Sequence, residues 1–303
     1  MKNDIKPLFI WAGGKNKMMK YYEDLLPSRY STYCEPFFGG GAMFIYLKKN
    51  NPLLECYIND INADIMQIYK SIQKDMDSFL KIVDDLQSQY LTTEKKSPQR
   101  KKFYLKIRKK YAYEHEKWNK VTESSYLYFL MRTGFNGIWQ SAKDLNGRFY
   151  TPCGLLKETD KIYNKENVKQ WHDLLQEVHI SSVDWKDCVK QLDHKNDVFY
   201  FCDPPYRGSF TSYGQTFLDS DQLELLNFCK KVDVNGSKIF LCNRQIHDGF
   251  WDNKQGNLQL KEFNVTYTAG RRKKINNTFE AKKATELLFY STSTRSKLPD
   301  QNI

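Results

Sequence analysis

Five consecutive apolar residues, Val198-Phe199-Tyr200-Phe201-Cys202, run without a break into Asp203-Pro204-Pro205-Tyr206. Such a run reads as a buried strand, and it delivers the tetrapeptide to its carboxyl end, where open α/β sheets place their ligands. The two prolines fix φ and remove backbone donors, which leaves nearby carbonyls free to accept hydrogen bonds. An acid, an accepting carbonyl and an aromatic ring at one strand end suit the exocyclic amine of a nucleobase. Asp203 and a neighbouring carbonyl would accept its two N–H bonds, while Tyr206 would stack on a base swung out of its helix. Asp, Pro and Tyr also make ordinary rigid turns after strands, so the tetrapeptide needs support from a second site.

Residues 32–44, TYCEPFFGGGAMF, supply it by reading as a short strand, a glycine turn and the start of a helix. Glycine is needed where a backbone turns tightly and comes close to a ligand. A further strand follows, ECYIN, and Asp60 stands at its end. An acid about 20 residues beyond a glycine turn is placed to accept from a ribose diol in nucleoside-binding α/β folds. Together the two sites point to transfer of a methyl group onto an amino nitrogen.

The chain of 303 residues is long enough for a full core and for two domains. Its formal charge of +11 and pI near 9.1 favour a polyanionic partner, although a membrane or ribosome surface would also suit a basic protein. The seven cysteines include no CxxC and the five histidines no paired ligand spacing, so neither a zinc site nor a disulfide framework is expected. An odd number of cysteines fits reduced thiols. No apolar stretch approaches the ~20 residues of a membrane span, and the amino terminus is polar. The expectation is a soluble cytoplasmic protein, of a bacterial cell or of a virus-infected host, with no metal and no membrane partner.

Strand-like and helix-like segments alternate over residues 8–69 and again after residue 178, but not between. This predicts a discontinuous catalytic domain of residues 1–70 plus 168–293, an inserted domain of residues 71–167, and a flexible tail over 294–303. Residues 72–120 look helical, with Leu80, Ile82, Val83, Leu86 and Tyr90 spaced for one apolar face. A basic run follows that includes Arg100, Lys101, Lys102, Lys106, Arg108, Lys109 and Lys110. It reads first as the solvated face of an amphipathic helix, able to meet phosphates without reading bases. Residues 134–154 are irregular, and Asn146-Gly147 between strand-capable residues signals a hairpin that could enter a groove, with a plain connecting loop as the alternative. Strands are expected at 178–184, 198–202, 238–243 and 286–290, and a helix at 220–232.

The order of these motifs resembles the Dam-type DNA adenine-N6 methyltransferases, the alpha-group, D12 class. The likeness rests on Trp11-Ala12-Gly13-Gly14-Lys15, Glu35-Pro36-Phe37-Phe38-Gly39-Gly40-Gly41, Asn59-Asp60, Phe135-Asn136-Gly137, Phe149 with Pro152 and Gly154, Asp203 to Tyr206, and the segment from Arg271 to Tyr290. It implies a Rossmann-like S-adenosylmethionine-dependent methyltransferase sheet with an inserted, mainly helical target-recognition domain carrying a β-hairpin. It implies S-adenosylmethionine as methyl donor and adenine N6 in double-stranded DNA as acceptor; a cognate restriction endonuclease is one functional partner it allows, with a role in regulation or repair as the alternative.

By this resemblance the catalytic residues are Asp203, Pro204, Pro205 and Tyr206. The cofactor would lie against Trp11, Ala12, Gly14, Lys15, Glu35, Pro36, Phe37, Phe38, Gly39 and Gly41, with Asp60 on the ribose. Asp184 and Trp185 would meet its adenine, and Asp203 its reactive end. DNA contacts would come from Phe135, Asn136, Ile138, Gln140, Arg148, Pro152, Arg271 and Arg272. Phe135 matches an aromatic that wedges into the base stack and Asn136 a position beside the orphaned base; the plain alternative for Phe135 is a core aromatic. Ile10 and Gln140 stand where GATC-specific members carry Lys and Arg. Lys and Arg pair with guanine and Gln with adenine, so a target other than plain GATC is expected. Methylation of cytosine N4 uses the same logic of amine, acid and aromatic platform and stays open at this point. Cytosine C5 chemistry would require a nucleophile such as Cys153, and a DNA-binding protein with a degenerate fold would leave the cofactor motifs unexplained.

Overall fold

The computed structural model describes residues 4–11, 13–94, 97–135, 140, 149–154, 161–208, 217–267, 273–275, 278–280 and 282–292. In chain order its principal elements are α1 (Met19–Tyr22), β1 (Thr32–Glu35), α2 (Ala42–Asn50), β2 (Glu55–Asn59), α3 (Ala63–Lys74), α4 (Met76–Leu91), α5 (Pro98–Glu114), α6 (Lys120–Thr133), α7 (Lys165–Leu175), β3 (Val178–Ser181), α8 (Trp185–Lys190) and β4 (Val198–Cys202). They continue with α9 (Asp219–Val234), β5 (Lys238–Gln245), β6 (Gln259–Tyr267), β7 (Lys273–Ile275), β8 (Thr278–Glu280) and β9 (Lys282–Tyr290). The fold is mixed α/β. The chain divides into two compact units, the first built on residues 1–16 and 37–188, the second on 17–36, 189–209 and 217–303.

In the first unit β2 and β3 pair in parallel, from Cys56 opposite Val178 to Asn59 opposite Ser181. The helices start where short polar side chains cap them. Asn62, Asp75, Ser97, Asn119 and Asn164 each accept from a backbone N–H in the first turn of α3, α4, α5, α6 and α7. Pro98 at the start of α5 sits where a missing N–H costs nothing. The apolar face expected near residue 80 forms as Phe79, Leu80, Val83, Leu86 and Tyr90, all buried, while Ile82 is only part-buried. Trp171 anchors the unit by stacking on Phe44 at 5.9 Å and donating its indole N–H to the Lys6 carbonyl at 2.8 Å.

The basic run on α5 divides in two. Arg100 is buried over the Tyr90 ring, Arg108 donates to the Tyr150 and Thr151 carbonyls, and Lys110 lies over Trp118 and Tyr126. Lys101, Lys102, Lys106 and Lys109 are exposed. Beyond α6 the chain meets residues 149–154 in antiparallel fashion, with a bridge between Gly134 and Cys153 and the Phe135 N–H donating to the Pro152 carbonyl at 2.8 Å. A Cβ on Gly154 would lie 2.5 Å from the Gly134 carbonyl oxygen, so the close pairing requires glycine there. The expected Asn146-Gly147 turn and the expected tail lie outside the described residues.

The second unit contains β1, β4 and β5 as parallel neighbours in that order, then β9 antiparallel to β5, then β6 antiparallel to β9. β1 and β4 are buried along their whole length, as continuous apolar runs in parallel sheets are. Tyr22 of α1 is buried among Phe201, Phe240 and Phe263, with ring centroids 5.8–6.3 Å away. The strand expected over 178–184 stops at Ser181, because Asp184 turns to cap the next helix and accepts from the Lys186 N–H at 2.9 Å. The helix expected at 220–232 extends over Asp219–Val234.

Candidate active site

The first unit carries the glycine turn. Gly39 and Gly41 have φ of 48° and 66°, the left-handed region that favours glycine. Neighbours fix every side of Gly39. Its N–H donates to Asp60 Oδ2 at 2.9 Å, its carbonyl accepts from the Tyr69 hydroxyl at 3.0 Å, and the preceding Phe38 N–H donates to the Asn59 carbonyl at 2.8 Å. The Trp11 indole covers the turn, since a Cβ on Gly39 would lie 2.6 Å from its Nε1. Lys15 is buried and donates to the Gly13 carbonyl at 2.8 Å, while Gly14 closes a turn onto the Trp11 carbonyl. Ala12 lies outside the described residues.

Asp60 Oδ1 accepts from the Asn62 N–H at 3.0 Å, so each carboxylate oxygen holds one backbone donor. Burial pushes its carboxyl up to about 6, against the two N–H groups that favour the charged form. A carboxylate has about four acceptor sites, so two remain for a pair of hydroxyls. That inventory fits the ribose of S-adenosylmethionine. Phe37 faces the buried Trp185 with ring centroids 6.4 Å apart, and Asp184 is occupied at least by its capping bond.

The second unit carries the tetrapeptide. β1 and β4 are in register from Thr32 opposite Val198 to Cys34 opposite Tyr200, so Glu35-Pro36 leave this sheet at the same end as Asp203. Glu35 is buried and accepts from the Tyr33 hydroxyl at 2.7 Å. Among the described residues the Pro204 carbonyl makes no hydrogen bond, whereas that of Pro205 accepts from Gln222. Tyr206 donates its hydroxyl to Glu286 Oε2 at 3.3 Å. Burial first, then nearby groups led by the Asp203 carboxylate, hold the Tyr206 phenol well above its usual range, so it stays neutral. The following Arg207 forks onto Asp219 at 2.6 and 2.8 Å, pairs with Asp248, and lies 4.0 Å from the Phe250 ring centroid.

The DNA-contact candidates are described in part. Phe135 is 45% exposed, which removes the alternative of a core aromatic. Gln140 and Pro152 are also exposed. Asn136, Ile138, Arg148, Arg271 and Arg272 lie outside the described residues. Burial raises the Cys153 thiol, the reverse of what a nucleophilic thiolate needs. Among the described residues no cluster of three or more His, Cys, Asp or Glu could hold a metal ion, and no helix is long and apolar enough to cross a membrane.

The family model of the D12 class N6 adenine-specific DNA methyltransferases matches residues 11–274. The chain belongs to this family. Among its relatives, the type II methyltransferase M.MjaIII of Methanocaldococcus jannaschii is 31% identical over 280 residues, which cover 89% of this chain and 92% of that one. The type II methyltransferase M1.LlaDCHI of Lactococcus lactis is 27% identical, covering 80% and 82%. The DNA adenine methylase of Haemophilus influenzae is 25% identical, covering 75% of each. As a D12-class enzyme the chain acts on DNA and draws on a methyl donor of the S-adenosylmethionine type.

Sequence reasoning missed the residues that surround the motifs of this D12-class enzyme. Tyr69, Gln222, Asn243 and Glu286 touch them from other elements. The visible signals were slight: a polar residue closing the apolar strand β5, and an acid in the apolar strand β9.

Proposed function

We propose that this chain transfers a methyl group from S-adenosylmethionine to N6 of an adenine swung out of duplex DNA, at a short target other than plain GATC. The observation that carries the reading is Asp203 at the carboxyl end of the fully buried β4, followed by the open Pro204 carbonyl and a neutral Tyr206. Phe37, Gly39, Gly41 and Asp60 would hold the donor, Asp60 through its spare acceptor sites. When bound, S-adenosylmethionine supplies an electrophilic methyl on a sulfonium.

Asp203 and the Pro204 carbonyl accept the two N6–H bonds of the target. Conjugation into the ring makes the free amine a weak nucleophile, and these acceptors favour the nitrogen as it turns tetrahedral and gains positive charge. Tyr206 offers its ring face to the extruded base, which fixes its position. The exposed Phe135 suits a wedge that takes the place of the base in the stack. Gln140 in place of Arg favours adenine at the position it would read, and Ile10 in place of Lys withdraws a donor to guanine, so both speak against plain GATC. The type II names of two relatives support pairing with a cognate restriction endonuclease, a functional partner.

Single-molecule sequencing of DNA from a methylation-deficient host expressing the chain tests this reading. N6-methyladenine should appear in one short motif and vanish with Asp203→Ala, which should still bind S-adenosylmethionine. A mark confined to GATC would end the specificity argument, and a mark on cytosine N4 would move the acceptor.

A further inference from the structure

The backbone on either side of Tyr206 is gripped by one chain of hydrogen bonds that the reaction scheme leaves unused. Gln222, buried in the first turns of α9, donates Nε2–H to the Pro205 carbonyl at 2.8 Å. Its Oε1 accepts from Asn243 Nδ2 at 2.7 Å. Asn243, buried near the carboxyl end of β5, accepts at Oδ1 from the Arg207 N–H at 3.3 Å and the Arg244 N–H at 2.9 Å. The chain of bonds starts at the amide just after Tyr206 and ends at the carbonyl just before it.

Its polarity is fixed throughout. Backbone N–H groups only donate, so Asn243 must turn its oxygen to Arg207 and Arg244. Its nitrogen then faces Gln222, whose oxygen must accept, and only the Gln222 nitrogen is left for the Pro205 carbonyl. Each amide has one consistent orientation. Buried amides that were only half satisfied would be worse than apolar side chains. At the far end of the ring, Glu286 receives the Tyr206 hydroxyl.

We propose that Gln222 and Asn243 are positioning residues for methyl transfer: their linked amides clamp the backbone around Tyr206 and so hold the aromatic platform and Asp203 in the geometry that turnover requires. The proposal rests on the reading of Asp203 and Tyr206 given above. A displacement of about 1 Å at a reacting centre can cost on the order of 10²-fold in rate, so a loosened clamp should act on kcat.

The test uses the full chain with Gln222→Glu, which keeps the acceptor for Asn243 but sets an oxygen against the Pro205 carbonyl. Gln222→Met, similar in size and uncharged, carries the test if the first variant does not fold. Expected is a fall in kcat of about 10- to 100-fold, with the S-adenosylmethionine Kd within about twofold of wild type. Deuterium uptake at the Arg207 amide should rise in the same variants. A folded variant with wild-type kcat would overturn the clamp, and so would equal losses of kcat and cofactor affinity, which mark a purely structural role. Wild-type protein that transfers no methyl group to adenine would instead overturn the reading of the site.

Discussion

Near residue 39 the chain is bonded within one stretch, to the end of β2 and to α3, whereas near residue 206 it is bonded to three elements spread over a longer stretch of sequence. Gly39 is bonded to Asp60 and Tyr69, 21 and 30 residues away, the first just after β2 and the second on α3. The loop around Tyr206 is bonded to Gln222, Asn243 and Glu286, 17, 36 and 80 residues from the groups they hold and on three separate elements. The first arrangement is a turn whose hydrogen bonds come from the end of β2 and from α3. The second exists only when α9, β5 and β9 have all packed. On the proposed reading, the donor would sit on the turn bonded within one stretch, while the target base would meet a loop tied to the integrity of the whole second unit.

The strongest way to sharpen this comparison is Asp60, the single side chain that serves both the turn and the expected ribose. Burial pushes its carboxyl up to about 6, against the ordinary 3.8. Between those values the folded chain keeps a proton that the unfolded chain has released. This contribution to fold stability is therefore present below about pH 4 and lost as pH rises through about 6. Donor binding runs the other way, because the ionised carboxylate is the better acceptor. The S-adenosylmethionine Kd should weaken by about tenfold as pH is lowered from about 7 to about 5. Asp60→Asn should flatten that profile and weaken binding by about 10- to 100-fold at about pH 7, because it sets an amide N–H against a backbone N–H. Calorimetric titration across this range checks both, and a flat wild-type profile would detach Asp60 from the donor.

The same contrast explains what could be read in advance. The glycine turn and Asp60 were legible because a βα unit forces a short, regular spacing between a turn and the acid that serves it. β1 and β4 were legible because burial on both faces leaves continuous apolar runs. Gln222 carried no such mark, since one polar residue on an amphipathic helix looks solvated until its neighbours are known. Arg100, Arg108 and Lys110 looked like part of a basic surface for the same reason, although Tyr90, the Tyr150 and Thr151 carbonyls, and Trp118 with Tyr126 engage them inside the first unit. Asp184 was read for its acid, and its capping bond to Lys186 depends on a strand that ends three residues earlier than expected.

A smaller effect is expected at Gly39. Alanine there must hold φ at 48° and bring its Cβ to 2.6 Å from Trp11 Nε1. The strain and the displaced indole should lower stability by about 1–3 kcal/mol. Because the turn is local, the loss should appear in thermal unfolding and donor affinity, while kcat at saturating donor stays close to wild type. A large fall in kcat with unchanged affinity would show that the turn is coupled to the chemistry after all.

The smallest effect separates the two kinds of support around Tyr206. Arg207 forks onto Asp219, and that fork is the most conspicuous ionic contact of the loop, yet Asp219 is 55% exposed. A pair open to water contributes little and is screened by salt. Arg207 also lies over Phe250 and pairs with Asp248, so its side chain has other holds. The backbone beside it is fixed separately, through the buried amides of Gln222 and Asn243. Asp219→Asn should therefore leave kcat within about twofold of wild type, and added salt should change the variant less than the parent. Steady-state methylation at two salt concentrations measures both. If Asp219→Asn cost as much as Gln222→Glu, the loop would be held from its surface, and the distinction between a locally built turn and a loop fixed from the core would fail on the second unit's side.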